Sequence, residues 1–288
     1  NYGHQFLDKL DVNAVVGLNG NERRYSYFYA EVTNLTIPAF YNLNNSSEKP
    51  TVDQYKQLRR LMGAYGQIDL GWDNWAYLTM TARNDWSSTM SKDNRSYFYP
   101  SVSLSGVISD MLPKIGGNMP EWFTFAKVRA SYAEVGNDLD PYQLYNNYTV
   151  GKDENGNTTA APGQILFDSS VRSELIKSWE AGLDVRFLQN RLGLDFAWYK
   201  TNATRQLLNL PLDPFAGYSS RKVNAGNIQN EGLEISLNGA IFQSPDMQGF
   251  NWNATAQFSL NRNKIIDLYP GVTLYDIKTL DAIQIVAA

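Results

Sequence analysis

Residues 250–261, FNWNATAQFSLN, admit one regular backbone. Phe250, Trp252, Ala254, Ala256, Phe258 and Leu260 alternate with Asn251, Asn253, Thr255, Gln257, Ser259 and Asn261. A strand sends successive side chains to opposite faces, so this run has one wholly apolar face and one wholly hydrophilic face. A helical period near ~3.6 would mix the two sets. At ~3.3 Å per residue the run approaches ~40 Å, longer than an ordinary globular strand. Strands this long, apolar on one side and wet on the other, suit a barrel that crosses lipid.

The same alternation recurs along the chain. It predicts strands over residues 10–18, with Val15 out of phase, and 25–32, joined by a turn at Gly20-Asn21. Further strands are expected over 64–72 and 75–83 around an Asp73-Asn74 turn, then over 101–108 and 126–132. Four more cover 179–187 and 192–199 around Gln189-Asn190, then 233–241 and 250–261. About ten long antiparallel strands result. If the apolar face meets lipid, Ile68, Leu70, Trp72, Leu78, Met80, Leu183, Val185, Leu194, Phe196, Leu233, Ile235, Trp252 and Phe258 face acyl chains. Lys127, Arg129, Glu180, Asp184, Arg186, Asp195, Glu234 and Gln257 then line a water-filled lumen.

The connections alternate too. Short ones are expected at 20–21, 73–74, 189–190 and 243–249, with an intermediate turn over 109–121. Long polar loops fall at about 34–52, 86–95, 137–174 and 211–220. An up-and-down barrel with short periplasmic turns and long outer loops has this rhythm, and a Greek-key sandwich has no reason to keep it. Trp72, Trp75, Trp122, Phe187, Phe242, Phe250 and Trp252 cluster at the short turns, where a barrel carries its aromatic girdle.

Composition narrows the chemistry. The net charge of −4 argues against a nucleic-acid partner. With no cysteine and His4 as the single histidine, thiolate metal sites and most Ser/His/Asp schemes fall away. Glu180 and Asp184 share a face and could form a glycosidase carboxylate pair, but a hydrated lumen wall needs polar groups at every second position and explains them better. Arg191 is read as solvated charge in the same way. The stretch Asp153-Glu154-Asn155-Gly156-Asn157 offers the hard oxygens that calcium prefers, yet lacks the spaced bidentate Glu of an EF-hand, so a loop tip is expected. No cofactor and no enzymatic activity are expected. The competing class is a soluble or secreted β-sandwich, a carbohydrate-binding protein or adhesin, with the apolar face as its core. Its strands should be shorter and its connections irregular.

Particular strings carry a further signal. Residues 83–89, RNDWSST, and 93–103, DNRSYFYPSVS, resemble the SusC/RagA family of TonB-dependent outer-membrane transporters. So do 127–132, KVRASY, with 135–138, VGND; 178–184, SWEAGLD; 224–234, NAGNIQNEGLE; and 261–265, NRNKI. The resemblance runs in family order from about residue 65 to 265. It implies that residues 1–288 belong to one transmembrane domain, part of a twenty-two-stranded barrel closed by an N-terminal plug. It also implies a SusD-like surface lipoprotein as lid, TonB as the energy source, and oligosaccharides or peptides as cargo. The plug, the TonB-contacting segment and the terminal strand have no counterpart in the sequence, so the chain is expected to be an interior piece of something longer.

Overall fold

The structure, a computed structural model, describes residues 2–6, 9–244, 249–270, 274–277 and 283–286. In chain order the strands are β1 (Tyr2–Phe6), β2 (Leu10–Glu31), β3 (Thr51–Trp72), β4 (Ala76–Ser87), β5 (Ser96–Val107), β6 (Phe123–Asn137), β7 (Tyr148–Lys152) and β8 (Thr158–Pro162). Then come β9 (Ile165–Leu166), β10 (Glu174–Phe187), β11 (Leu192–Pro211), β12 (Ser220–Phe242), β13 (Trp252–Asp267), β14 (Leu274–Ile277) and β15 (Ile283–Val286). The large sheet runs β1-β2-β3-β4-β5-β6-β10-β11-β12-β13, with β9 beside β12; β7-β8 and β14-β15 are separate hairpins. Each strand on that path pairs antiparallel with its neighbour, the pattern of an up-and-down wall.

One expected turn is absent. Residues 20–21 lie inside β2, which pairs with β3 without a break from Leu10↔Trp72 to Glu31↔Thr51. Neither Gly20 nor Asn21 adopts the positive φ of a tight hairpin turn. The apolar alternation stops at Leu18 because Glu22 and Arg24 follow on the same face, and that polar change had the signature of a turn. The strand lost by this correction is replaced by β1, whose connection to β2 is itself short, so the rhythm holds. Long connections span 32–50, 88–95, 138–173 and 212–219. Of the expected 243–249 turn, residues 245–248 lie outside the described residues.

The other turns follow their residues. Asp73 and Asn74 sit at φ 48° and 60°, the left-handed pair of a type I′ hairpin, where Asp and Asn tolerate the strain better than most residues. Leu188, Gln189 and Asn190 reverse β10 into β11, also with positive φ. The 109–121 turn contains a short helix, α1 (Ile108–Lys114), which ends where Gly117 N–H donates to the Leu112 carbonyl. Lys114 ties it to the β3-β4 turn through Asp73 at 3.0 Å.

Register sorts the sheet into two faces. On the apolar face one row crosses from β2 to β13 as Val12, Leu70, Leu78, Leu104, Ala130, Ala181, Trp198, Leu233 and Leu260. The next row reads Ala14, Ile68, Met80, Val102, Tyr132, Trp179, Lys200, Glu231 and Arg262. It begins apolar and ends charged. On β2 the first charge on this face is Glu22, eight residues beyond Ala14, paired with Arg60 of β3. That is ~26 Å along the strand at ~3.3 Å per residue. Eight interstrand steps of ~4.8 Å separate β2 from β13. The polar boundary therefore climbs across the register at roughly 35°, the tilt that strands need to close a barrel. Once the strands lean by that angle, the apolar surface is a level belt.

Among the described residues the lower sheet buries only scattered apolar side chains, such as Val107, Ala126 and Val185. Buried apolar side chains gather instead at the long-loop end, as Met90 with Leu139 and Val171, and as Leu210 with Val223 and Ala225. Phe258, Trp252 and Trp179 of the apolar face are 56%, 54% and 54% exposed. A sandwich would cover that face with a second large sheet, and among the described residues only two-stranded hairpins lie outside the main one. With strands of 22 or 23 residues in β2, β3 and β12, the sandwich is ruled out.

Candidate functional site

The eight polar residues expected on one face are brought together there. Lys127, Asp184, Asp195 and Gln257 stand in a single register row, completed by Ser236. Arg129 and Glu234 belong to the row above it, Glu180 to the next, and Arg186 to the row below. Arg129 reaches both Glu180 and Asp195 at 3.4 Å, and Arg186 holds Asp184 at 2.9 Å. The carboxylates considered as a glycosidase pair are thus each engaged by an arginine on the wall. Arg191 lies at the β10-β11 turn, where its guanidinium caps the carbonyls of Ala240 and Ile241. Asp195, Glu234, Ser236, Gln257 and Ser259 line a recess of about 530 Å³ on this face.

The thirteen residues expected on the apolar face also fall on one face. Ile68 pairs with Met80, Leu70 with Leu78, Leu183 with Phe196, Val185 with Leu194, and Ile235 with Phe258. Trp72 leads its row, Leu233 joins the row of Leu70, and Trp252 closes the lower edge opposite Phe242. Val185 is buried, and the rest are half-buried or exposed. Aromatic contacts concentrate at the short-turn end, where Trp122 stacks on Phe187 at 5.9 Å and Phe242 meets Phe250 at 5.8 Å. Higher on this face, Tyr132 and Trp179 approach to 4.4 Å.

Other polar-face groups are brought into contact by the fold. The Arg83 guanidinium lies 5.7 Å from the Tyr65 ring centre, its Nε donates to Asp85 at 2.8 Å, and the Tyr99 hydroxyl donates to the same carboxylate. Tyr65, Gln67, Thr81, Arg83, Tyr99 and Ser101 line a recess of about 360 Å³. The hydroxyl end of Tyr65 covers Gly17, and a Cβ there would stand 2.4 Å from it. Higher up, beyond Glu22, Tyr27 stacks on Tyr55 at 5.7 Å and donates to Asp53 at 2.6 Å, which raises the Tyr27 pKa above its ordinary value. The signal for these groups was the spacing of interacting residues two apart on one face, Arg83 with Asp85 and Tyr97 with Tyr99.

The loops at the long end are knotted together by Asp138. Arg59, Ser87 and Thr89 all donate to its carboxylate, and its side chain is 2% exposed. The knot joins two strings that carried the resemblance, residues 83–89 and 135–138. At the tip of the β7-β8 hairpin, Asn157 donates twice to Asp153, at 2.8 and 3.0 Å, so this carboxylate holds the turn. Those bonds keep Asp153 below the usual carboxylate range.

Known proteins are similar to this chain in sequence and architecture. The family described as TonB dependent receptor-like, beta-barrel matches residues 1–282. TonB-dependent receptor P3 of Formosa agariphila is 29% identical over 264 residues, 88% of this chain and 25% of that receptor. TonB-dependent receptor SusC of Bacteroides thetaiotaomicron is 26% identical over 238 residues, 75% of this chain and 22% of that one. The chain thus spans about a quarter of the length of the curated relatives it matches. Its fold is similar to that in the structure of the RagAB peptide importer in the closed-closed state, with a TM-score of 0.86 at 22% identity over 99% of this chain and 31% of that one. A more distant likeness is the siderophore receptor PirA of Pseudomonas aeruginosa, with a TM-score of 0.51 at 16% identity over 91% of this chain and 42% of that one. An antiparallel wall, its level apolar belt and a matching family model lead to one assignment: the chain belongs to the TonB-dependent receptor-like β-barrels of the Gram-negative outer membrane.

Proposed function

We propose that this chain forms part of the wall of an outer-membrane importer. Its apolar face contacts acyl chains and its polar face lines the passage through which oligosaccharides or peptides enter. In the whole protein, TonB supplies the energy and a SusD-like surface lipoprotein covers the mouth. The observation that carries this reading is the polar boundary on the apolar face. It climbs across the register by the angle that a tilted barrel strand requires, so the apolar surface becomes a belt level with a membrane. The likeness to the RagAB peptide importer supports peptides as one cargo class. No metal or cofactor enters this reading, and the polar groups act by hydration and ion pairing alone.

The test is uptake by cells carrying the full-length receptor, with labelled oligosaccharides and labelled peptides offered in parallel. Accumulation of one class should require the receptor, TonB and the lipoprotein together. Equal accumulation after deletion of the receptor would remove the proposal.

A further inference from the structure

We propose that the apolar face carries, at its upper rim, a binding site for the phosphate groups of outer-leaflet glycolipid, centred on Arg172 and Arg205. This rests on the proposed contact of that face with lipid. The site arises where the wall splits. β5 and β6 pair only as far as Ser101↔Ala133, and the residue beyond, Pro100, has no N–H to continue the ladder. Above this point the strands part, and a recess of about 300 Å³ opens between them. Phe98, Glu134 and Leu175, all on the apolar-face register, line it together with Asp93, Arg172 and Arg205.

Its level matches a headgroup zone. Glu134 and its partner Lys177 carry the first charges on this face of β6 and β10, one row above Tyr132 and Trp179. Amphipathic rings of that kind favour the membrane interface. The recess therefore begins where the apolar belt ends. Lys200 stands in the Trp179 row on the neighbouring strand.

Its chemistry favours an anion. Arg172, Arg205 and Lys200 form no ion pair among the described residues. Of the two carboxylates that line the recess, Glu134 is already engaged, accepting from Tyr132 at 2.5 Å and lying 3.7 Å from Lys177, while Asp93 belongs to the β4-β5 loop. Planar guanidinium groups suit phosphate oxygens, and each can engage two of them.

The backbone is also set for the purpose. Arg205 adopts φ 56°, an uncommon conformation for a residue with a Cβ, opposite Gly226 at φ 78°. The β11-β12 register omits both residues between Thr204↔Asn227 and Gln206↔Ala225, so the ladder kinks there. Arg205, at that gap in the ladder, lines the recess. Local strain of this kind collects at functional positions.

The experiment uses the full-length receptor in detergent micelles, with bound lipid counted by native mass spectrometry. Three probes are compared: bis-phosphorylated lipid A, the same glycolipid with its phosphates removed, and inorganic phosphate. The double variant Arg172→Gln/Arg205→Gln should lose at least tenfold in affinity for bis-phosphorylated lipid A. The control Lys49→Gln/Lys152→Gln, which removes two loop charges elsewhere, should retain it. Dephosphorylated glycolipid should bind the wild type as weakly as lipid A binds the double variant. Equal retention by wild type and double variant would overturn the site, as would inorganic phosphate saturating it without lipid. A nitroxide at Phe258→Cys tests the lipid contact separately. Lipid-type relaxation there, with lipid A retention unchanged in the double variant, would sink the site and leave the membrane placement standing.

Discussion

Arg59 and Asp138 lie 79 residues apart in sequence, and the guanidinium of one closes on the carboxylate of the other with Nε 3.1 Å from Oδ2. Because Ser87 and Thr89 donate to the same group, one buried carboxylate ties β3, the end of β4, the β4-β5 loop and the start of the 138–173 loop together. The neighbouring apolar contacts of Met90, Leu139 and Val171 seal the junction.

Replacing Asp138 by Ala should free that junction. Breaking a buried pair strands its cation and its two hydroxyl donors, a cost of about 2–4 kcal/mol. The loss should be local, because the strand ladders do not depend on it. Hydrogen exchange over residues 138–144 should accelerate, while the heat-modifiable gel shift of the full-length receptor stays at its wild-type temperature. Unchanged exchange would deny the knot its role.

The two faces should respond oppositely to charge. Leu183→Arg, in the middle of the belt, should destabilise the folded barrel in phospholipid vesicles by about 2–4 kcal/mol. Gln257→Arg, on the polar face of β13, should change it by less than about 0.5 kcal/mol. Urea titration of both variants measures the contrast, and equal costs would contradict the assignment of faces.

Tyr65 should report on Gly17. With the ring where a Cβ would stand, Gly17→Ala must lift Tyr65 off the sheet and away from Arg83, at a cost of about 1–3 kcal/mol. In a Tyr65→Ala background the same change should be nearly neutral. A double-mutant cycle with additive costs would show that the close approach does not matter.

Acid should release one loop anchor late. The Asp168 carboxyl accepts from the Ser170 backbone N–H at 2.9 Å, then from the Ser170 hydroxyl and from Arg221 at 2.7 Å, and these bonds hold its pKa down at about 2. The folded value lies below the ordinary ~3.9, so the contribution is complete well above that unfolded value and disappears as pH falls through about 2. Exchange protection over 165–173, corrected for intrinsic rate, should stay flat from pH 7 to 5 and fall only below about pH 4. Asp168→Asn should lack the protection throughout. A loss already evident near pH 5 would assign the anchor to another group.

Strand, face and membrane class were set by the sequence alone, because a period of two is a local property and each residue's side follows from its neighbour's. That is why Leu183 and Phe196, or Asp184 and Asp195, could be assigned to sides before their register was known. Turn chemistry was equally local at Asp73-Asn74 and Gln189-Asn190. At Gly20-Asn21 the local signal misled, since a change from apolar to charged on one face marks either a turn or the edge of the belt. Only the pairing of Glu22 with Arg60 distinguishes them. Tertiary structure alone decided the level of that edge on each strand, because it depends on the stagger accumulated across the whole sheet. It also decided the meeting of Arg59 with Asp138 and the parting of β5 from β6 above Ser101, since both depend on segments that approach only when the wall is assembled.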